Sequence, residues 1–196
     1  ALTPINDQID DSDRDKFAEA AISEGTMVGN NVSVPLYRHA HVMWIRKDLL
    51  EKNGLEVPKT WDELYDTAKA LTKDGVYGLS FPCGTNDFQA TFFLDFYVRS
   101  GGGSLLTDDL KANLTSDLAI DGINYWLKVY NDCSPKDSIN FDVLDQATLY
   151  YQGKTAFDFN SGFQISGVAA NSPDLLQYVD CYPIPKINAD DPDEGI

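Results

Sequence analysis

The sequence predicts an α/β lobe built on a mixed sheet flanked by helices, and three observations carry that prediction. Stretches with apolar residues at helical spacing end at glycine, as 47–53 does before Gly54 and as an aromatic run does before Gly101-Gly102-Gly103. Short runs rich in β-branched and aromatic residues, at 76–81, 155–160 and 179–184, read as strands. The two kinds of segment alternate along the chain instead of separating into blocks, which is the pattern of an α/β domain.

Taken in order, residues 11–24 carry Phe17, Ala20 and Ala21 at helical spacing and stop at Gly25. Val32 to Ile45 reads as extended, interrupted near Pro35. In Pro58-Lys59-Thr60-Trp61-Asp62-Glu63 the threonine stands three residues before a glutamate, the spacing of a capping box; Leu64, Ala68 and Leu71 then share one helical face. Asn86 and Gln89 repeat the cap-plus-three pattern at the head of the aromatic helix. A further helix over 116–132 shows Ile120, Ile123, Trp126, Leu127 and Tyr130 as its apolar stripe. The tail Asp190-Asp191-Pro192-Asp193-Glu194 reads as acidic loop.

With 196 residues the chain can bury roughly 70% of its unfolded surface, so it needs no metal or disulfide staple. Its 31 acidic against 15 basic residues give a net charge of −16, which repels phosphate backbones and argues against nucleic-acid binding. No run of 18 apolar residues is present to span a membrane as a helix. The start, Ala1-Leu2-Thr3-Pro4, has no signal-peptide pattern, so a processed or partial chain is expected and its targeting signal is not readable. Cys83, Cys133 and Cys181 form no CxxC pair and are expected to be three buried free thiols, with one disulfide plus a spare thiol as the alternative. Asp11-Ser12-Asp13-Arg14-Asp15 imitates the start of a calcium loop but lacks its glycine and terminal glutamate, and reads as a helix start. There is no G-x-S-x-G elbow, P-loop or dinucleotide fingerprint, and neither a catalytic residue nor a cofactor is expected.

Three blocks resemble the family 1 extracellular solute-binding proteins, which include maltose- and multiple-sugar-binding proteins. The first is Val34-Pro35-Leu36-Tyr37, then Trp44 to Leu55 (WIRKDLLEKNGL), then Pro58 to Leu64 (PKTWDEL). The others are Gln152 to Phe163 (QGKTAFDFNSGF) and Tyr182-Pro183-Ile184-Pro185. The resemblance implies a two-lobed, type II periplasmic-binding-protein-like fold of which this chain covers part. Residues 1–34 would be the end of lobe 1 with a crossing segment, 35–185 lobe 2, and 186–196 the return crossing and acidic loop. It also implies a monomeric carrier of a sugar or oligosaccharide. Such a carrier docks on the membrane permease subunits of an ABC transporter and works at the extracellular face as a lipid-anchored protein, or in the periplasm. A carbohydrate-processing enzyme and a signalling or adhesion module stay open beside this reading.

Sugars are held by aromatic faces stacked on their C–H surfaces and by polar groups on their hydroxyls. The resemblance directs attention to Tyr37 and His39, just after the crossing, where the family places a polar or acidic ligand residue. His39 is also readable as a surface histidine, or with His41 as part of a metal site that lacks a third ligand. Asn86 and Asp87 open a helix whose start often supplies ligand contacts in the family, and Asn86 is equally readable as a plain cap. Phe163 stands where the family usually carries a tryptophan that stacks on sugar, followed by Gln164. Trp44, Trp61 and Trp126 are expected in the core.

Overall fold

The computed structural model describes residues 2–36, 39–85 and 89–191. Its contacts divide the chain into two units, Ala1–His39 and Ala40–Ile196.

In the first unit, the helix expected over 11–24 is two short ones, α1 (Asp11–Arg14) and α2 (Glu19–Glu24), because the backbone opens to extended geometry at Ala18. Asp10 caps α1, its side chain accepting from the Asp13 amide. Strands β1 (Thr26–Met27) and β2 (Asn30–Asn31) pair antiparallel around Val28-Gly29. Both turn residues have positive φ, 50° and 76°, the geometry of a two-residue hairpin turn.

The second unit is built on a four-stranded mixed sheet of order β4-β5-β3-β6. Its strands are β3 (His41–Arg46), β4 (Tyr77–Leu79), β5 (Thr155–Ser161) and β6 (Val179–Tyr182). β5 runs parallel to β4 and antiparallel to β3, and β6 is antiparallel to β3. All seven residues of β5 are buried, as a central strand covered on both faces requires.

Helices α3 (Lys47–Asn53) and α4 (Trp61–Leu71) follow their sequence signals closely. Gly54 closes α3 in the left-handed conformation at φ 63°. Thr60 Oγ1 accepts from the Glu63 amide at 3.3 Å and Glu63 Oε2 accepts from the Thr60 amide at 3.1 Å, completing the capping box. Trp61, Leu64, Ala68 and Leu71 are buried along α4, which lies so near β4 that a Cβ at Gly78 would overlap the Ala68 backbone. The chain after β6 returns to this helix start, where the Lys186 amide donates to the Lys59 carbonyl and its carbonyl accepts from the Trp61 amide.

On the same face of the sheet lie α5 (Ala90–Ser100) and α6 (Asp117–Cys133), and Trp61, Phe93, Phe96, Tyr125, Trp126, Phe157 and Phe159 form the main core. The three tryptophans are buried as expected. The indole of Trp44 donates to Asn160 O, that of Trp61 to Ser100 Oγ and that of Trp126 to Phe93 O.

Of the stripe expected on α6, Trp126 is buried and Tyr130 packs against the core, but the other three residues are not. The helix buries Ala119, Gly122, Tyr125, Trp126, Val129 and Cys133, leaving Ile120, Ile123 and Leu127 exposed. Gly122 lets α6 approach Leu94 and Tyr97 of α5, and that contact turns Tyr125, whose hydroxyl donates to the Trp61 carbonyl, into the core. The opposite face of the sheet is covered by α7 (Val143–Tyr151) and α8 (Phe163–Asn171), with Trp44, Tyr150, Val168 and Val179 as a smaller core. All three cysteines are free, but only Cys133 is buried; Cys83 is half-buried and Cys181, on the edge strand β6, is exposed.

Candidate functional site

Strand directions gather several chain segments at one end of the sheet. His41 at the start of β3 pairs with Ser161 at the end of β5, and Tyr182 at the end of β6 pairs with Met43. Since β4 is parallel to β5, the carboxyl ends of β4, β5 and β6 and the beginning of β3 share this end. The carboxyl ends of strands in open α/β sheets are where ligands bind, because the connecting loops there carry variable side chains on a fixed base.

Phe163 sits at this end. The chain leaves the buried β5 through Gly162 and turns directly into α8, so Phe163 is the first large side chain beyond the sheet. It is 40% exposed. A ring with much of its surface open offers a face for stacking.

Gln164, the other expected residue at this position, faces inward and is fully buried. Its amide nitrogen donates to Asp158 Oδ2, and its Oε1 accepts from the Tyr151 hydroxyl at 3.1 Å. In this arrangement it reaches other side chains and not the surface.

Asp158 is the centre of this buried cluster. It is 1% exposed and accepts from the side-chain amides of Gln146 on α7 and Gln164 on α8, with Asn160 Nδ2 a further 3.5 Å donor. Burial pushes its carboxyl up to about 7, against the pull of the amide hydrogen bonds from Gln146, Asn160 and Gln164. Gln146 Oε1 is buried without a hydrogen-bond partner. No motif in the sequence marks this cluster. The only available hint is an aspartate in the middle of a strand whose neighbours Phe157 and Phe159 are apolar.

His41 is a second feature that sequence reasoning placed only in a possible metal pair. Its ring lies 5.3 Å from Phe92 and 5.4 Å from Phe96, edge-on to the first. Among the described residues no group of three or more His, Cys, Asp or Glu is arranged to hold a metal ion. His39 is exposed and is the last residue of the first unit. Tyr37, Asn86 and Asp87 lie outside the described residues, the latter two in the connection from β4 to α5.

Comparisons with known proteins agree on one family. A model described as bacterial extracellular solute-binding protein matches residues 1–196. A relative from Brucella abortus, named as a binding protein, is 22% identical over 182 residues, which is 92% of this chain and 44% of the relative. The diacetylchitobiose binding protein NgcE of Streptomyces coelicolor is 28% identical over 101 residues, 50% of this chain and 22% of that protein. Among solved structures, maltose-bound MalE3 of T. maritima matches with a TM-score of 0.81 at 24% identity, covering 94% of this chain and 48% of that one. A solute-binding protein of Thermotoga lettingae bound to α-D-tagatose gives 0.83 at 22% identity, covering 97% and 50%. The chain therefore spans about half the length of the proteins it matches.

Proposed function

Because the chain belongs to the bacterial extracellular solute-binding protein family, we propose that it forms one lobe of a carbohydrate carrier serving an ABC importer. The sugar or oligosaccharide lies against the end of the sheet that bears Phe163. Closure of two lobes around the ligand gives the form that docks on the permease subunits. The carrier acts outside the cytoplasmic membrane, lipid-anchored or in the periplasm, and releases its ligand unchanged. The family and its structural neighbours are binding proteins, which supports a carrier over a hydrolase.

The observation that carries this reading is the half-exposed Phe163 ring at the carboxyl end of the central strand. Tyr37, His39, Asn86 and Asp87 are proposed to supply polar contacts to the sugar hydroxyls, as polar side chains in concave sites do. Phe163→Ala tests the platform. Sugar affinity should fall tenfold or more, about 1–3 kcal/mol, while the melting midpoint changes little. A core phenylalanine would behave oppositely, losing about 3–5 kcal/mol of stability with affinity unchanged. Incubating the protein with oligosaccharides separates carrier from enzyme: saturable binding without product is expected, and turnover would overthrow the assignment.

A further inference from the structure

We propose that Asp158 is a positioning residue that ties the first turn of α8, and with it the Phe163 ring, to the sheet and to α7 through two side-chain amides. The proposal rests on the reading of Phe163 as a sugar platform.

The start of α8 needs an external hold. Gly162 at its N-cap makes no side-chain hydrogen bond and has open space where a Cβ would stand, so nothing local fixes the angle at which Phe163 leaves the strand. Gln164 supplies the hold one residue on. Its side chain points down, while that of Phe163 points out, and both its polar atoms are engaged: the amide nitrogen with Asp158 and Oε1 with the Tyr151 hydroxyl. Asp158 in turn accepts from Gln146, so a single carboxylate joins β5, α7 and α8. Tyr151 reinforces the same joint, since a Cβ at Gly167 would collide with its hydroxyl.

A structural aspartate here would be a poor choice. Among the described residues, the groups that lower its carboxyl against burial are neutral amides, those of Gln146, Asn160, Gln164 and the Phe159 backbone. The titratable side chains of α7 facing it are Tyr150 and Tyr151, whose hydroxyls are themselves pushed above the ordinary tyrosine value, chiefly by burial. The buried guanidinium of β3, Arg46, is engaged bidentately by Asp48 at 2.8 and 2.7 Å. An apolar residue at 158 would cost less to bury, but it would leave two amide donors unpaired and the turn below Phe163 unheld. Two oxygens that accept from two helices are what the carboxylate adds.

Asp158→Ala and Asp158→Asn in the gene product that carries this chain test the tie. Amide hydrogen exchange is followed at 167–170 in α8, with 126–129 in α6 as the internal reference. Asp158→Ala should raise exchange in α8 at least tenfold with α6 unchanged. Asp158→Asn should restore most of the protection, because its oxygen accepts from Gln164 and its amide donates to Gln146 Oε1 once that amide turns over. Should the alanine variant fail to fold, Gln164→Leu cuts the same tie from the α8 side and should give the same local rise. Unchanged exchange in α8, or an equal rise in α6, would overturn the proposal. Maltose and laminaribiose titrated into the unmodified protein form the separate arm: if neither binds while the exchange pattern holds, the sugar reading fails and the tie stands.

Discussion

Val28 occupies a conformation that β-branched residues avoid. Its φ of 50°, beside Gly29 at 76°, makes a turn in which both central residues are left-handed, and its side chain is 92% exposed, so no packing compensates. Asparagine tolerates this region and forms the favoured Asn-Gly pair. Val28→Asn should therefore stabilise the β1–β2 hairpin by about 1 kcal/mol, read as slower amide exchange at Met27 and Asn30, the pair that flanks the turn. A loss of protection there would show that the turn is held by something other than its backbone geometry. The same scale explains what was legible at the site. Phe163 was singled out by the resemblance of 152–163 to a family block, and its ring lies 40% exposed just past the end of β5. Asp158 was not, because its partners Gln146 and Gln164 lie on two different helices and neither spacing nor composition joins them.

Among the elements, local signals survived folding and packing phases did not. Thr60 and Glu63 form their capping box as the spacing predicts, since both bonds close within one turn and need nothing from the rest of the chain. Thr60→Ala should accordingly cost about 1 kcal/mol, seen as a lower denaturant midpoint at unchanged slope. An effect below about 0.3 kcal/mol would mean that the adjoining Lys186 backbone bonds carry the helix start instead. α6 shows the other case. It presents two apolar stripes about 150° apart, one with Ile120, Ile123 and Leu127 and one with Tyr125, Trp126 and Val129. Hydrophobicity alone does not choose between them. The choice is made by Gly122, which permits close approach of α5, and by buried acceptors for Tyr125 and Trp126. The helix expected over 11–24 is a further departure, because its apolar spacing runs across Ala18, where the folded backbone is extended.

At the scale of the whole molecule, the mixed α/β sheet was legible because helices and strands alternate, whereas strand order and direction depend on contacts more than a hundred residues apart, such as His41 with Ser161. Those distant pairings also set how the protein responds to pH. Folded, Asp158 titrates near 7, against 3.8 for an ordinary aspartate, because burial disfavours its charge. Between those values the folded chain keeps a proton that the unfolded chain has released. Stability therefore falls as pH rises from about 4 to about 7, and is level above, by an amount on the order of 4 kcal/mol. Other carboxylates act in the opposite sense. Glu63 is held low chiefly by the Lys59 amide, and Asp132 by Lys69 and the Tyr65 hydroxyl. Their contributions are present above the ordinary carboxylate range and are lost as pH falls through their depressed values. The net charge of −16 favours the acid side of neutrality as well, since protonation relieves self-repulsion. The melting midpoint should thus rise from pH 8 to about pH 5 and fall again below about pH 4. Asp158→Asn isolates the buried group, because it leaves every other titrating side chain in place. The variant should melt higher than the unmodified protein at pH 8 and lose most of the slope between pH 5 and pH 8, with the acid limb unchanged. Parallel slopes in the two proteins would mean that Asp158 stays ionised throughout and that the neutral limb belongs to the surface charge.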